Sequence, residues 1–344
     1  MAHNDWLDFP EFDVARWDAE AANVLASARG VWEKPPWSPS VQAAELPAKA
    51  IAPKAEGNAW SLTETIDHAG DVLPALMGGA DGIRLQHEMA SEEWLNEVHL
   101  NMIHLHLDAD RIDLTRFSVD RMVAAGWRGS CARSARGLTA EDAHLHAAAL
   151  KAAPSICKWA IDTCGETDPV TALTSGLVQA QNMLKVFEQS GLDPSEAVQA
   201  FAWAHTVGPH VLEGVAMTRA MRILWQRWLS RQGFGQASIW LDARTYMPLV
   251  GDGLQTDRLI GMTSAAYASA IGGSDALEVV PHDADAQLGS ADGKRWARNV
   301  QHLMREEAGL HRVFDPMGGS RVVESWTASL VETVWEAFEN RIAP

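Results

Sequence analysis

Tyrosine is nearly missing from this chain, and cysteine is scarce. Two tyrosines stand beside fifteen tryptophans in 344 residues, an imbalance that bears on packing and partner surfaces rather than on one chemistry. The three cysteines, Cys131, Cys157 and Cys164, are odd in number and unlike zinc ligands in spacing. That excludes a disulfide framework and predicts reduced thiols in a cytoplasmic protein. Basic residues are also few: 28 Lys and Arg against 45 Asp and Glu give a formal charge of −17. Such a surface argues against nucleic acid and anionic membranes, and any anionic substrate must be held by local groups. No apolar run approaches the roughly 18 residues of a membrane span. The opening residues, MAHNDWLDFPEFD, lack the basic and apolar regions of a signal peptide. G-x-S-x-G, P-loop, Rossmann glycine and C-x-x-C patterns are absent as well.

What is present is a composition able to bury a large core, 47% hydrophobic with 21% charged. Residues 1–57 read as an arm. Its first part is an amphipathic helix with Phe9, Phe12, Trp17 and Val24 on one broad face, and a proline-rich connection (Pro35, Pro36, Pro39, Pro47, Pro53) follows. Residues 58–344 alternate helix and strand. The pattern predicts strands at Gly82–Gln86, Met102–Leu107, Gly129–Ala132, Ser155–Ile161, Ala200–Val207, Ser238–Ala243, Ala276–Val280 and His311–Phe314. Helices are expected at Thr63–Met77, Ser91–Glu97, Val119–Ala125, Ala140–Ala152, Pro169–Ser190, Leu212–Ser230, Asp257–Ile271, Lys294–Ala308 and Trp326–Asn340. Eight strands with intervening helices make an α/β fold, a (β/α)8 TIM-type barrel. GGADGIRL at 78–85 is echoed by GGSDALEV at 272–279, each a glycine helix stop running into a strand.

Candidate chemistry falls on few residues. His104 and His106 alternate on one strand, so both imidazoles share a face and could bind a divalent metal with a carboxylate such as Asp242 or Asp315. Ordinary polar lining is the competing reading, and no metal is expected. Arg244 and Tyr246, at the end of a strand, suit a carboxylate, thioester carbonyl or phosphate, with a structural ion pair as the alternative. Asp162 and Glu166 form an acidic pair after another strand. The Asp315-Pro316-Met317-Gly318-Gly319-Ser320 loop follows the eighth expected strand, where α/β folds place ligand sites; a tight structural turn is the alternative.

The last third carries a more specific pattern. Ala297-Arg298-Asn299-Val300-Gln301, then Glu307-Ala308-Gly309 through Ser320, then Val323-Glu324 and Thr327 resemble the barrel domain of the methylmalonyl-CoA mutase family. Met217–Trp228, Arg244-Thr245, Gly272–Ala276 and Trp60-Ser61-Leu62 extend the resemblance across 58–344. It implies a coenzyme-A-threading barrel whose active relatives use adenosylcobalamin to rearrange acyl-CoA skeletons by radical chemistry. The departures are specific. The family's tyrosine falls at Thr65, and its Tyr-His pair falls at Trp159 and Ala160; alanine cannot hydrogen-bond a thioester carbonyl. The family's R-T-H-S-Q-T-S-G run is reduced to Arg244-Thr245-Tyr246-Met247-Pro248. The cobalt-ligating D-x-H-x-x-G signature is absent from these residues, so no cobalamin-binding domain is expected, and adenosylcobalamin is expected only through a partner chain. Phe9, Phe12, Trp17 and Gly78–Ile83 are similar to the family's small subunit. The resemblance therefore implies a degenerate small-subunit-type partner of a large mutase subunit. The alternatives are an acyl-CoA mutase (isomerase) barrel served by a separate cobalamin-binding chain, a homodimer, or a repurposed barrel enzyme.

Overall fold

The computed structural model describes residues 15–16, 19–20, 57–85, 96–108, 128–132, 159–246, 254–284 and 289–343. The strands are β1 (Ser61–Ile66), β2 (Gly82–Leu85), β3 (His104–Asp108), β4 (Arg128–Ala132), β5 (Trp159–Asp162), β6 (Phe201–Val207), β7 (Trp240–Thr245) and β8 (Ala276–Glu278). All pair in parallel with the next, and β1 pairs with β8 as well as β2, so the sheet returns on itself. The longer described helices are α1 (Val72–Met77), α2 (Pro169–Gln189), α3 (Val211–Gln232), α4 (Gln255–Gly272), α5 (Ala291–His302) and α6 (Arg321–Ile342). The helices expected between β2 and β5 fall almost wholly outside the described residues, as does most of the 1–57 arm. No helix among the described residues is long and apolar enough to cross a membrane.

Two expected elements are corrected. Ser61–Ile66 is a strand, not the start of a helix over Thr63–Met77. Its β-branched threonines and isoleucine suit a pleated surface. Alternation turns Leu62 and Ile66 into the outer core and lets the Thr65 hydroxyl reach Glu278 of β8. The helix there is the short α1. Conversely, His311–Phe314 forms turns rather than a strand, and β8 is the strand at Ala276. The two differences cancel in the count.

A third correction moves the Asp315–Ser320 loop to the other end of the barrel. The Asn58 N–H, just before β1, donates to the His311 carbonyl at 3.1 Å, and Phe314 lies beside Gly273, just before β8. The loop therefore belongs to the face where strands begin. Arg219 of α3 holds it there, with Nε 2.8 Å from Asp315 Oδ1 and Nη2 2.7 Å from Glu324 Oε1 of α6. Glu324 also accepts from the Gly319 N–H at 3.0 Å. Asp315 sits at φ 47°, a left-handed conformation that costs a non-glycine residue energy and that the Arg219 clamp holds in place. Arg222, one turn on, grips the Gly273 carbonyl and Asp275. The arginines of α3 and the glycine motifs are thus parts of one lock.

The 78–85 and 272–279 echo has the same kind of cause. Asp81 accepts the Leu62 N–H at 2.7 Å, and Asp275 accepts the Leu241 N–H at 2.7 Å. Each aspartate ties down the preceding strand of the ring, and each follows a glycine at φ near 90° (Gly79 and Gly273), where a side chain would be strained.

Outside the ring, Trp159, Phe187, Phe201, Trp203, Trp225 and Trp228 fill the space between β5, β6, α2 and α3. α6 lies across α2 and α3 as a further layer. Gly176 of α2 lets Trp203 pack against the helix: an added Cβ would lie 2.0 Å from the indole. Gly176→Ala is therefore expected to lower stability by about 1–3 kcal/mol through overpacking, despite alanine's better helix propensity. Chemical denaturation checks this, and an unchanged or raised midpoint would show that the indole moves aside freely.

Candidate functional site

Alternation along the strands aims a set of polar side chains at the barrel axis. Arg84 of β2 donates to Glu278 Oε2 of β8 at 2.7 Å and to both oxygens of Asp242 of β7 at 2.8 and 2.9 Å. Thr65 of β1 hydrogen-bonds Glu278. His106 Nδ1 is 3.8 Å from Asp242 Oδ2, and Arg244 Nε is 3.7 Å from Glu278 Oε2. The Arg84 and Asp242 side chains are 1% exposed. Nearer the strand starts, His104 packs on Trp240 with ring centroids 5.1 Å apart. Two arginines face two carboxylates, so the buried charges balance, the condition for holding ions in a dry interior.

Burial sets the protonation states. It holds the His106 ring neutral, its pKa pushed down to about 3 against the pull of Asp242, and lowers His205 to about 4. For Asp242 burial acts upward, but Arg84, His106 and Arg244 overcome it and bring the carboxyl to about 2. The carboxylate is therefore committed to its partners.

The expected site residues divide. His104 and His106 do share the interior, with rings 6.5 Å apart, and Asp242 joins them. Asp315 does not, being held by Arg219 on the opposite face. Among the described residues, no three His, Cys, Asp or Glu side chains gather as a metal-holding group. Asp162 fixes its own turn: its carboxylate accepts the Cys164 N–H at 2.9 Å, and its backbone carbonyl accepts from Gln179 at 2.9 Å. Tyr246 lies at the same rim, with its hydroxyl beside Gly165. Ala160 and Ala204 face each other as a small apolar patch against Cys164. Arg244, at the end of β7, has a side chain 15% exposed. Trp159 points away from the lumen and packs edge-on against Phe187 of α2. Parity decides this, because Ala160 takes the inward position.

A second recess opens at the β1–β8 seam. β8 meets β1 only over Ser61–Thr63, and above that pairing a cleft of about 330 Å³, open mouth included, is lined by Thr63, Glu64, Glu278, Lys294 and Arg298 among others. Glu64 pairs with Arg298; burial pushes its carboxyl pKa up against that pull. Sequence reasoning about the site missed Arg84 and Glu278. Their signal was available: each is a charged residue within an apolar strand, at the same place in the 78–85 and 272–279 echo.

Comparison with known proteins decides what this barrel is related to. The methylmalonyl-CoA mutase family model matches residues 153–342, more than half of the chain. The chain belongs to the methylmalonyl-CoA mutase family. A probable methylmalonyl-CoA mutase small subunit of Mycobacterium tuberculosis is 28% identical over 227 residues, 64% of this chain and 34% of that protein. The small subunit of Streptomyces virginiae is 29% identical, over 48% of this chain and 27% of its own. A methylmalonyl-CoA mutase of Cereibacter sphaeroides is 29% identical, over 49% of this chain and 24% of its own. The matches thus span about a third or less of these relatives. Thr65 and Ala160 are the residues that the resemblance leads one to expect at the family's tyrosine and histidine positions. The Thr65 hydroxyl is already bound to Glu278, and Ala160 has no polar side-chain atom. Neither side chain fits chemistry beside adenosylcobalamin.

Proposed function

We propose that this chain is a non-catalytic, small-subunit-type barrel that supports a cobalamin-dependent acyl-CoA mutase chain. In this reading residues 58–344 form a complete (β/α)8 TIM-type barrel, residues 1–57 form an arm, and adenosylcobalamin is held by the partner. The observation that carries it is the state of the axis: Arg84, Asp242, Glu278 and Thr65 satisfy one another where a mutase barrel would address its substrate, and Ala160 adds no donor. The similarity to proteins named small subunits supports the partnership.

Co-expression with a large mutase chain tests it. A stable complex is expected, with mutase activity unaffected when Arg244→Ala is introduced here. Failure to associate at native expression would refute the proposal.

Arg244 supports a second reading, an acyl-CoA mutase barrel served by a separate cobalamin-binding chain, or a repurposed barrel enzyme with its site at the strand ends. Its guanidinium is partly exposed and could meet an anionic group. A cob(II)alamin spectrum that appears with acyl-CoA and is lost in Arg244→Ala would establish that reading over the first.

A further inference from the structure

At the β1–β8 seam the upper part of the barrel wall has no strand pairing. β8 pairs with β1 only from Ser61 to Thr63, whereas β1 runs on to Ile66. The cleft of about 330 Å³ found there, open mouth included, is lined from three sides. β1 supplies Glu64, the end of β8 supplies Glu278, Val279 and Pro281, and α5 supplies Lys294, Ala297, Arg298 and Gln301. The four α5 residues recur at three- and four-residue steps, so they share one face of the helix.

Two polar groups in this cleft are incompletely used. Gln301 is 1% exposed, and its Oε1 accepts from the Trp60 indole at 3.1 Å. An indole N–H can only donate, so the carboxamide has a single orientation. Its NH2 group then carries two donors with no hydrogen bond of their own, although the residue has given up nearly all contact with water. Across the cleft, Glu64 accepts from Arg298 through Oε2, and its Oε1 makes no hydrogen bond. The charges, by contrast, are already matched: Glu64 by Arg298, Lys294 by Asp71 and Glu278 by Arg84. A charged ligand would enter without a counter-charge, so the site suits a neutral one. The free donors of Gln301 call for a carbonyl oxygen, and the free oxygen of Glu64 calls for an N–H. A carboxamide carries both, and Val279, Pro281 and Ala297 offer apolar contact to a short carbon chain beside it.

We infer that the seam cleft binds a small neutral molecule through a carboxamide group, whose oxygen accepts from Gln301 and whose N–H donates to Glu64. Occupancy requires no mutase partner. The test titrates the full chain with propionamide, propionate and 1-propanol, which match in size and differ in charge and hydrogen bonding. The side-chain amide signals of Gln301 and the indole signal of Trp60 report binding by ¹H–¹⁵N NMR. Propionamide should give saturable shifts of both, with a dissociation constant at least ten-fold below those of the other two. Gln301→Glu keeps an acceptor for Trp60 but removes the NH2 group, and should weaken propionamide at least ten-fold. Ala297→Leu, which fills the cleft from α5 and leaves Trp60 and Gln301 in the chain, should abolish the shifts and serves if the first variant fails to fold. Propionate or propanol binding as tightly as propionamide would overturn the inference. So would shifts that never saturate, or binding that survives Ala297→Leu.

Discussion

Asp242→Ala is expected to cost about 3–5 kcal/mol of folding stability, the range for removing one partner of a buried ion pair. The loss comes less from the broken bonds than from what remains. Arg84, with a side chain 1% exposed, would keep its contact to Glu278 but turn two donated hydrogen bonds toward an empty methyl-lined space. The net charge of the interior would become positive beside Arg244. Asp242→Asn, which keeps the shape and one acceptor, should cost less. Replacing Arg84 and Asp242 together with Met and Leu should recover much of the loss, because Glu278 and Arg244 are left to neutralise each other. Urea unfolding of the four proteins measures this. If the single variant unfolded at the wild-type midpoint, the axis would have to be hydrated and the cluster marginal.

Acid should weaken the protein well before its carboxylates titrate normally. His106 and His205 are buried with pKa values of about 3 and about 4. An unfolded chain takes up protons on both rings as the pH drops below about 6.5. The folded chain does not until near those lower values, so over this window the unfolded state binds more protons and stability falls with pH. Asp242 extends the loss below its ordinary 3.8 toward about 2, since its charged form is the one Arg84 binds. A tenfold difference in proton affinity between the folded and unfolded chains is worth about 1.4 kcal/mol. Two histidines together can therefore remove several kcal/mol, a sizeable share of the roughly 5–15 kcal/mol typical of native proteins. Denaturation midpoints between pH 4 and 8 should rise with pH, and His106→Gln should flatten that slope. A slope identical to wild type would mean that His106 is protonated in the folded state.

The ring of strands was mostly legible in the sequence because strand and helix periodicity survive without knowledge of neighbours. Where local pattern competed with topology, it failed. Ser61–Ile66 lies beside a helix-like run, and its strand character depends on pairing with Gly82–Leu85 and Ala276–Glu278. His311–Phe314 looks like a strand by composition but has no edge to pair with, because the ring is already filled by β1 and β8.

Family membership is a local fact, readable as Asp315–Ser320. The sequence by itself settled that, along with the acidic composition, and it offered Thr65 and Ala160 as the expected departures from the family pattern. Only the tertiary structure decided that Asp315 serves Arg219 at the strand-start face, that Trp159 turns outward, and that Arg84, Asp242 and Glu278 meet on the axis. The physical reason is separation along the chain. Arg84 and Asp242 are 158 positions apart, and which charges neutralise one another is set by the register of parallel strands, which no single segment encodes.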